Sequence, residues 1–432
     1  MIRLEGRGGF RKNVGPKILS KVVHSTDELI SSPDFKDRSR TKPSDFTRKR
    51  KMPFNDLLLY MLNSYKCSTQ CGLRRFFRLH YNELPMKQQS FSKARKKIKV
   101  SAFQEIFKLS GDVLSKSCQS TWNGYIILVI DGTKAALPDD KVLVNKYGGM
   151  GADASSPTAQ VSILLDVLNN IVYDALIDPL STDERTLAIM HIEDVLARIS
   201  SKKILVIFDR GYPSFELIQI LEKMGIKYLM RVKRKFNNDI DAQKESDGYV
   251  RLVKDDEFLD VRVIKFTLKS GELEMLITNL DDGRLGVIAF KKLYFMRWGV
   301  ETQYDILKNK FQLENFTSRI DAGVEQDLYA VMFLANVAAA AAHDAQPQAD
   351  AVRLSKNNNY VYNVSINEIV GILKDYLISA ILTHSIRKRK KIIKDIITEI
   401  SSCVVPNRTD RSNPRNPNPR KSDYHFNQKC NC

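Results

Sequence analysis

The hydrophobic positions of this chain change spacing twice, and each change marks a boundary. From Pro53 to about Leu114 apolar residues recur at three- and four-residue steps, as in Leu57, Leu58, Met61 and Leu62, which predicts helices. A second helical segment falls at 73–79 and a third at Gln88–Val100, built on Phe91, Ala94 and Ile98. Then the pattern becomes that of strands. Tyr125–Ile130 (YIILVI) is a short apolar run rich in isoleucine and valine, and it ends in Asp131-Gly132-Thr133. Gln160–Val167 and Ile171–Ile177 predict two more strands, joined by Asn169-Asn170. Thr182–Ile199 predicts a helix with Ile189, Ile192, Leu196 and Ile199 inward and a capping box of Ser181 and Glu184. Ile204–Phe208 (ILVIF) is again a buried strand ending in an acid, Asp209. Pro213 opens the next helix, Gly225 closes it, and Tyr228–Val232 follows as a strand. Residues 233–290 alternate polar and apolar, with Phe258–Leu268 and Leu273–Leu280 separated by Lys269-Ser270-Gly271, and predict antiparallel hairpins.

The stretch Lys291–Lys310 (KKLYFMRWGVETQYDILKNK) carries two rows on one predicted helix. At about 100° per residue, Tyr294, Arg297, Glu301 and Lys308 share a face. Beside them Leu293, Met296, Val300, Leu307 and Phe311 form an apolar stripe that faces a core. The polar row therefore borders a buried edge, where a carboxylate flanked by cations is costly unless it meets a ligand. Taken alone, the spacing favours an ordinary Arg297–Glu301 pair on a solvated face, since charged stripes on helices are common.

Charge narrows the partner. Lys and Arg number 68 against 50 Asp and Glu, a net +18 with pI about 9.5, which points to a polyanion. Between Lys36 and Lys51 stand eight basic and two acidic residues, ending in Arg48, Lys49, Arg50 and Lys51. They predict an extended arm, residues 1–52, able to lie along phosphates. A helical domain over 53–120 places Lys93, Arg95, Lys96 and Lys97 on its last helix, as a groove-reading unit would. A catalytic domain over 121–345 holds the β-rich insertion 233–290. Residues 346–405 are a C-terminal helical region that opens on a polar linker at 346–363, and 406–432 are compositionally a disordered basic tail. Arg3, Arg7, Arg11 and Lys12 interrupt any secretory signal, and the longest apolar stretch, 328–342, reads as a buried helix, so no membrane is expected. Six cysteines without a zinc pattern imply free thiols in a reducing cytoplasm.

Two apolar strands each ending in an aspartate, followed by a glutamate on a helix edge, assemble three carboxylates: Asp131, Asp209 and Glu301. Such a set can hold two divalent ions about 3.5–4 Å apart for in-line phosphoryl transfer. Oxygen ligands favour Mg²⁺ or Mn²⁺ over zinc. The expected fold is α/β, a ribonuclease-H-like core with a β-rich insertion, between a small helical DNA-binding domain and a helical basic tail.

Asp131 in DGT, Asp209 in DRGY, and Tyr294-x2-Arg297-x3-Glu301-x6-Lys308 resemble the DDE transposases of bacterial insertion sequences. The last spacing looks like the Tyr-Arg-Glu-Lys signature of the insertion-sequence-four family, and DERTLAIMHIE and TKPSDFTRKRKMPF are similar to it as well. The resemblance covers roughly 41–345. It implies that Asp131, Asp209 and Glu301 are the metal ligands and that Tyr294, Arg297 and Lys308 contact phosphates. Trp298 would hold a base displaced during hairpin formation. It further implies double-stranded DNA partners (inverted-repeat ends and target), a homodimer in the synaptic complex, and a bacterial, nucleoid-associated location. Competing readings are a ribonuclease-H-like nuclease that cuts without joining, and a catalytically silent repressor derived from a transposase.

Overall fold

The computed structural model describes residues 17–407 apart from 152, 200–202, 269 and 356–360. The chain forms two compact units. One is 118–308; the other is built from both flanks, 17–117 and 309–407.

The flanking unit is helical. It begins with α1 (Ile18–Ser31), α2 (Pro33–Ser39), α3 (Phe54–Leu62), α4 (Thr69–His80), α5 (Gln88–Arg95) and α6 (Val100–Ser117). The expected extended arm is thus helical over 18–39, where Leu19, Val22, Val23 and Ile30 make a buried stripe at helical spacing. Ser32 and Pro33 start α2 as cap and first helical residue. The Asp344 carboxylate accepts from the backbone N–H of Ile18 and Leu19 at 3.0 and 2.9 Å, which anchors the start of α1. Arg48–Lys51 are exposed, outside any helix or strand. The predicted helix 88–100 stops at Arg95, because Ile98 is drawn into a bridge with Arg40.

The central unit is one mixed sheet with helices. Its elements are β1 (Tyr125–Ala136), α7 (Lys141–Tyr147), β2 (Gly149–Met150), β3 (Ser156–Asp166), β4 (Ile171–Asp178), α8 (Glu184–Arg198), β5 (Lys203–Phe208), α9 (Phe215–Lys223) and β6 (Lys227–Val232). After these come α10 (Asn238–Ala242), β7 (Asp247–Lys254), β8 (Glu257–Thr267), β9 (Leu273–Thr278), α11 (Val287–Phe295) and α12 (Trp298–Asp305). The strand order is β2-β3-β1-β5-β6-β9-β8-β7, with β4 on β3. β1 is antiparallel to β3 and parallel to β5, and β5 is parallel to β6. The hairpin β8–β9 turns at Gly271, whose φ of +85° suits glycine, and β9 joins β6. The residues expected as an insertion therefore extend the same sheet.

Two local expectations change. The cap of α8 is Asp183, and Glu184 turns its side chain to Gln160. The buried face of α8 is Leu187, Ala188, His191, Ile192 and Val195, with Ile189 and Leu196 only half-buried.

The chain ends with α13 (Asp321–Ser355), β10 (Val361–Val364), α14 (Ile366–Leu382), α15 (Ile386–Ser402) and β11 (Val404–Asn407), all in the flanking unit. The expected linker at 346–363 is helical as far as Ser355. α13 has the length and composition to cross a membrane, but 83% of its apolar window is buried in the protein, against α6, α1 and α15 among others. The tail 408–432 and residues 1–16 lie outside the described residues.

Candidate active site

Asp131 lies on β1 just past the end of its parallel pairing with β5, which stops at Val129 and Ile207. Asp209 follows the last residue of β5 directly. Both aspartates thus emerge at the same edge, where two parallel strands end and side chains can converge.

Glu301 comes from the segment expected as one helix, and the structure breaks that helix. α11 ends at Phe295, Met296 and Arg297 form a turn, α12 runs 298–305, and Ile306–Lys310 is a π-helical turn. At the break the backbone bonds span three residues: Met296 to Leu293, Arg297 to Tyr294 and Gly299 to Met296, at 3.0, 3.0 and 2.9 Å. Gly299, a weak helix former, packs so closely that an added Cβ would lie 3.2 Å from Val167 Cγ1.

Arg297 is the centre of the site. It is 6% exposed, donates from Nη2 to Glu301 Oε1 at 2.8 Å, and brings Nη1 to 4.0 Å from Asp131 Oδ2. Burial opposes its charge, but the hydrogen bond to Glu301 and the nearby Asp209 outweigh it and raise the pKa. Its Nε is buried with no hydrogen-bond partner, and its Cζ stands 5.0 Å over the Trp298 ring. Tyr294 donates its hydroxyl to Asp209 Oδ1 at 3.1 Å. The Asp131 carboxyl is pushed up to about 6, chiefly by burial, with Asp209 and Glu184 adding to the rise against the Gly132 N–H and Arg297.

Of the predicted row, Tyr294, Arg297 and Glu301 meet at this edge. Lys308 donates from Nζ to the Lys134 carbonyl at 2.7 Å, three residues beyond Asp131 on β1. Trp298 is 41% exposed. Of the predicted groove-reading residues, Lys93 and Lys96 are exposed and Lys97 pairs with Asp45 at 2.9 Å. Arg95 is not available to DNA. It is buried and donates to Gln326, Thr317, Gly323 and Asp327 within its own unit, at 2.6–2.9 Å.

Several residues of the site were not legible as such. Tyr304 donates its hydroxyl to the Asp131 carbonyl at 2.6 Å; its place three residues after Glu301 was the available signal. Glu184 is a further carboxylate at this edge: an added Cβ on Gly132 would lie 3.2 Å from its Oε1, so glycine at 132 permits the approach. Beyond Asp209, Arg210, Arg231, Lys233 and Arg234 line a groove of about 220 Å³ together with Glu272.

Among the described residues no group of three His, Cys, Asp or Glu side chains stands close enough to hold a metal ion. The donor set nonetheless fits a hard divalent cation. It is all carboxylate oxygen, and the buried Arg297 guanidinium lies between Asp131 and Glu301.

The family model described as Transposase DDE domain matches residues 122–337. No curated protein matches the chain. Among solved structures it is similar to one titled "Cryo-EM structure of piggyBac transposase synaptic complex with hairpin DNA", at 13% identity and a TM-score of 0.46, over 92% of this chain and 84% of that one.

Proposed function

The chain belongs to the family of DDE-domain transposases, and from that premise we propose that it cuts DNA at transposon ends and joins the freed 3′-hydroxyl to target DNA. The observation that carries this reading is the convergence of Asp131, Asp209 and Glu301 around one buried arginine at the end of parallel strands. The strand order β4-β3-β1-β5-β6, antiparallel in its first three members and parallel in its last, supports a ribonuclease-H-like core.

Asp131, Asp209 and Glu301 would hold two Mg²⁺ or Mn²⁺ ions. Bound there, such ions supply an activated water or 3′-hydroxyl and stabilise the leaving oxygen. The chain's own residues do the rest. Tyr294 orients the Asp209 carboxylate through its hydroxyl, and Tyr304 fixes the peptide that carries Asp131. Arg297 exchanges carboxylate for phosphate when DNA enters, since its guanidinium suits either bidentately. Lys308 and the groove of Arg210, Arg231, Lys233 and Arg234 attract the phosphodiester backbone, and Trp298 offers an exposed ring for a displaced base. A homodimer bridging two ends, and membership of the insertion-sequence-four family with its Tyr-Arg-Glu-Lys signature, belong to the same proposal.

The test is incubation with flanking inverted-repeat DNA and Mg²⁺, with nicked, hairpin and joined products separated on a denaturing gel. Joined products lost in Asp131→Ala, Asp209→Ala and Glu301→Ala are expected. Cleavage without any joined product would favour a nuclease, and end-binding without cleavage a repressor.

A further inference from the structure

Behind the site, three polar side chains are buried in line. His191 on α8 is wholly buried, with Nδ1 2.8 Å from Asp174 Oδ2 on β4 and Nε2 3.0 Å from Ser162 Oγ on β3. Ser162 Oγ in turn reaches the carbonyl oxygen of Asp131 at 3.3 Å. Asp174 is 2% and Ser162 1% exposed. The order Asp-His-Ser is that of a nucleophilic triad, but a chain of groups so buried has no access to a substrate, and the serine points at a backbone carbonyl.

An apolar residue would fill each of these positions at lower cost. Burying a carboxylate, an imidazole and a hydroxyl is unfavourable unless each is hydrogen-bonded, and a fully bonded chain of this kind rigidifies what it holds. Here the chain ends on Asp131, beyond the point where β1 loses its parallel neighbour. Nδ1–H donates to the Asp174 carboxylate, which fixes the ring, and Ser162 Oγ lies within hydrogen-bond reach of both His191 Nε2 and Asp131 O. Tyr304 meets the same carbonyl from α12. Asp131 O is thus held from two directions by side chains of two different elements.

We propose that Asp174, His191 and Ser162 are positioning residues that hold the Asp131 peptide so that its carboxylate stays aimed for metal binding. The proposal rests on the reading of Asp131 as a metal ligand. Outer partners of metal ligands typically shift affinity by about 10–100-fold.

The experiment is calorimetric titration of the full chain with Mn²⁺ at neutral pH, beside melting curves, for wild type, Ser162→Ala, Ser162→Thr, His191→Gln and Asp131→Asn. Ser162→Ala should melt somewhat lower, since it leaves buried His191 Nε2 without its partner, and in its folded state should bind Mn²⁺ about tenfold more weakly; Ser162→Thr, which keeps the hydroxyl, should recover most of the affinity. His191→Gln tests the same chain from its centre and should weaken Mn²⁺ similarly. Affinity within twofold of wild type in Ser162→Ala while Asp131→Asn loses binding would overturn the positioning role alone. Unchanged affinity in Asp131→Asn would overturn the metal-ligand reading, and this proposal with it. Equal losses in Ser162→Ala and Ser162→Thr would show that packing, not the hydroxyl, matters.

Discussion

Asp131→Asn should stabilise the metal-free protein while abolishing catalysis. The fold holds this carboxyl at about 6 against an ordinary value of 3.8, mainly because burial disfavours its charge. A raised acid pKa means the folded chain binds the extra proton between these two values, so its stability falls as pH rises from about 4 through about 6. Above that window the full penalty is present; below it there is none. About two units at roughly 1.4 kcal/mol each give an upper figure of ~3 kcal/mol. For a unit of this size that corresponds to a rise in Tm of order 5–10 °C. The assay is calorimetric or fluorescence melting in EDTA at pH 7.5 and again near pH 4. The gain should appear at the higher pH and shrink towards zero at the lower one. Added Mg²⁺ should offset it by stabilising only the wild type. No gain at pH 7.5, or an equal gain at both pH values, would refute the reasoning.

Three further outcomes follow from the placement of the basic and aromatic residues. Arg95→Ala should cost about 3–5 kcal/mol in urea unfolding by leaving the buried Asp327 carboxylate without its guanidinium. The folded variant should still shift end DNA on a gel, and lost binding at unchanged stability would contradict this. Because α1 lies within residues 1–52, the basic run is tested by replacing Arg48, Lys49, Arg50 and Lys51 with Gln. The slope of log K against log salt should flatten by about 0.9 for each phosphate contact removed, and an unchanged slope would take these residues out of the interface. Trp298→Ala should leave melting unchanged, since the ring is 41% exposed, and should slow the steps after the first nick in a single-turnover time course. Stacking on a displaced base is worth roughly 1–3 kcal/mol, so equal slowing of every step would remove the base-holding role.

What the sequence made legible was what short apolar runs encode. The strands that lead to Asp131 and Asp209 carry continuous Ile, Leu and Val because they are buried on both faces, and such runs ending in an acid are hard to mistake. The hairpins of 247–278 were legible from alternation and Gly271. Less legible was whatever depended on distant partners. Arg95 resembles a groove-reading residue because its spacing matches that of its lysine neighbours, and only distant partners, Thr317 with Gly323, Gln326 and Asp327 of α13, turn it inward. Helix α1 carries a good apolar stripe that was overshadowed by the basic residues around it. The break at Met296–Arg297 lies beside Gly299, whose close approach to Val167 no local pattern announces. His191 sat in a helix whose predicted inward face was set by its isoleucines and leucine, and its buried partners Asp174 and Ser162 come from two strands.

The central claim is that Asp131, Asp209 and Glu301 together hold two divalent ions where Arg297 now sits. Mn²⁺ anomalous diffraction from the protein bound to end DNA addresses it directly. Two peaks about 3.5–4 Å apart, ligated by these three carboxylates with Arg297 withdrawn onto a phosphate, are the predicted result. Mn²⁺ absent from these carboxylates, with Arg297 still paired to Glu301 over bound DNA, would contradict it.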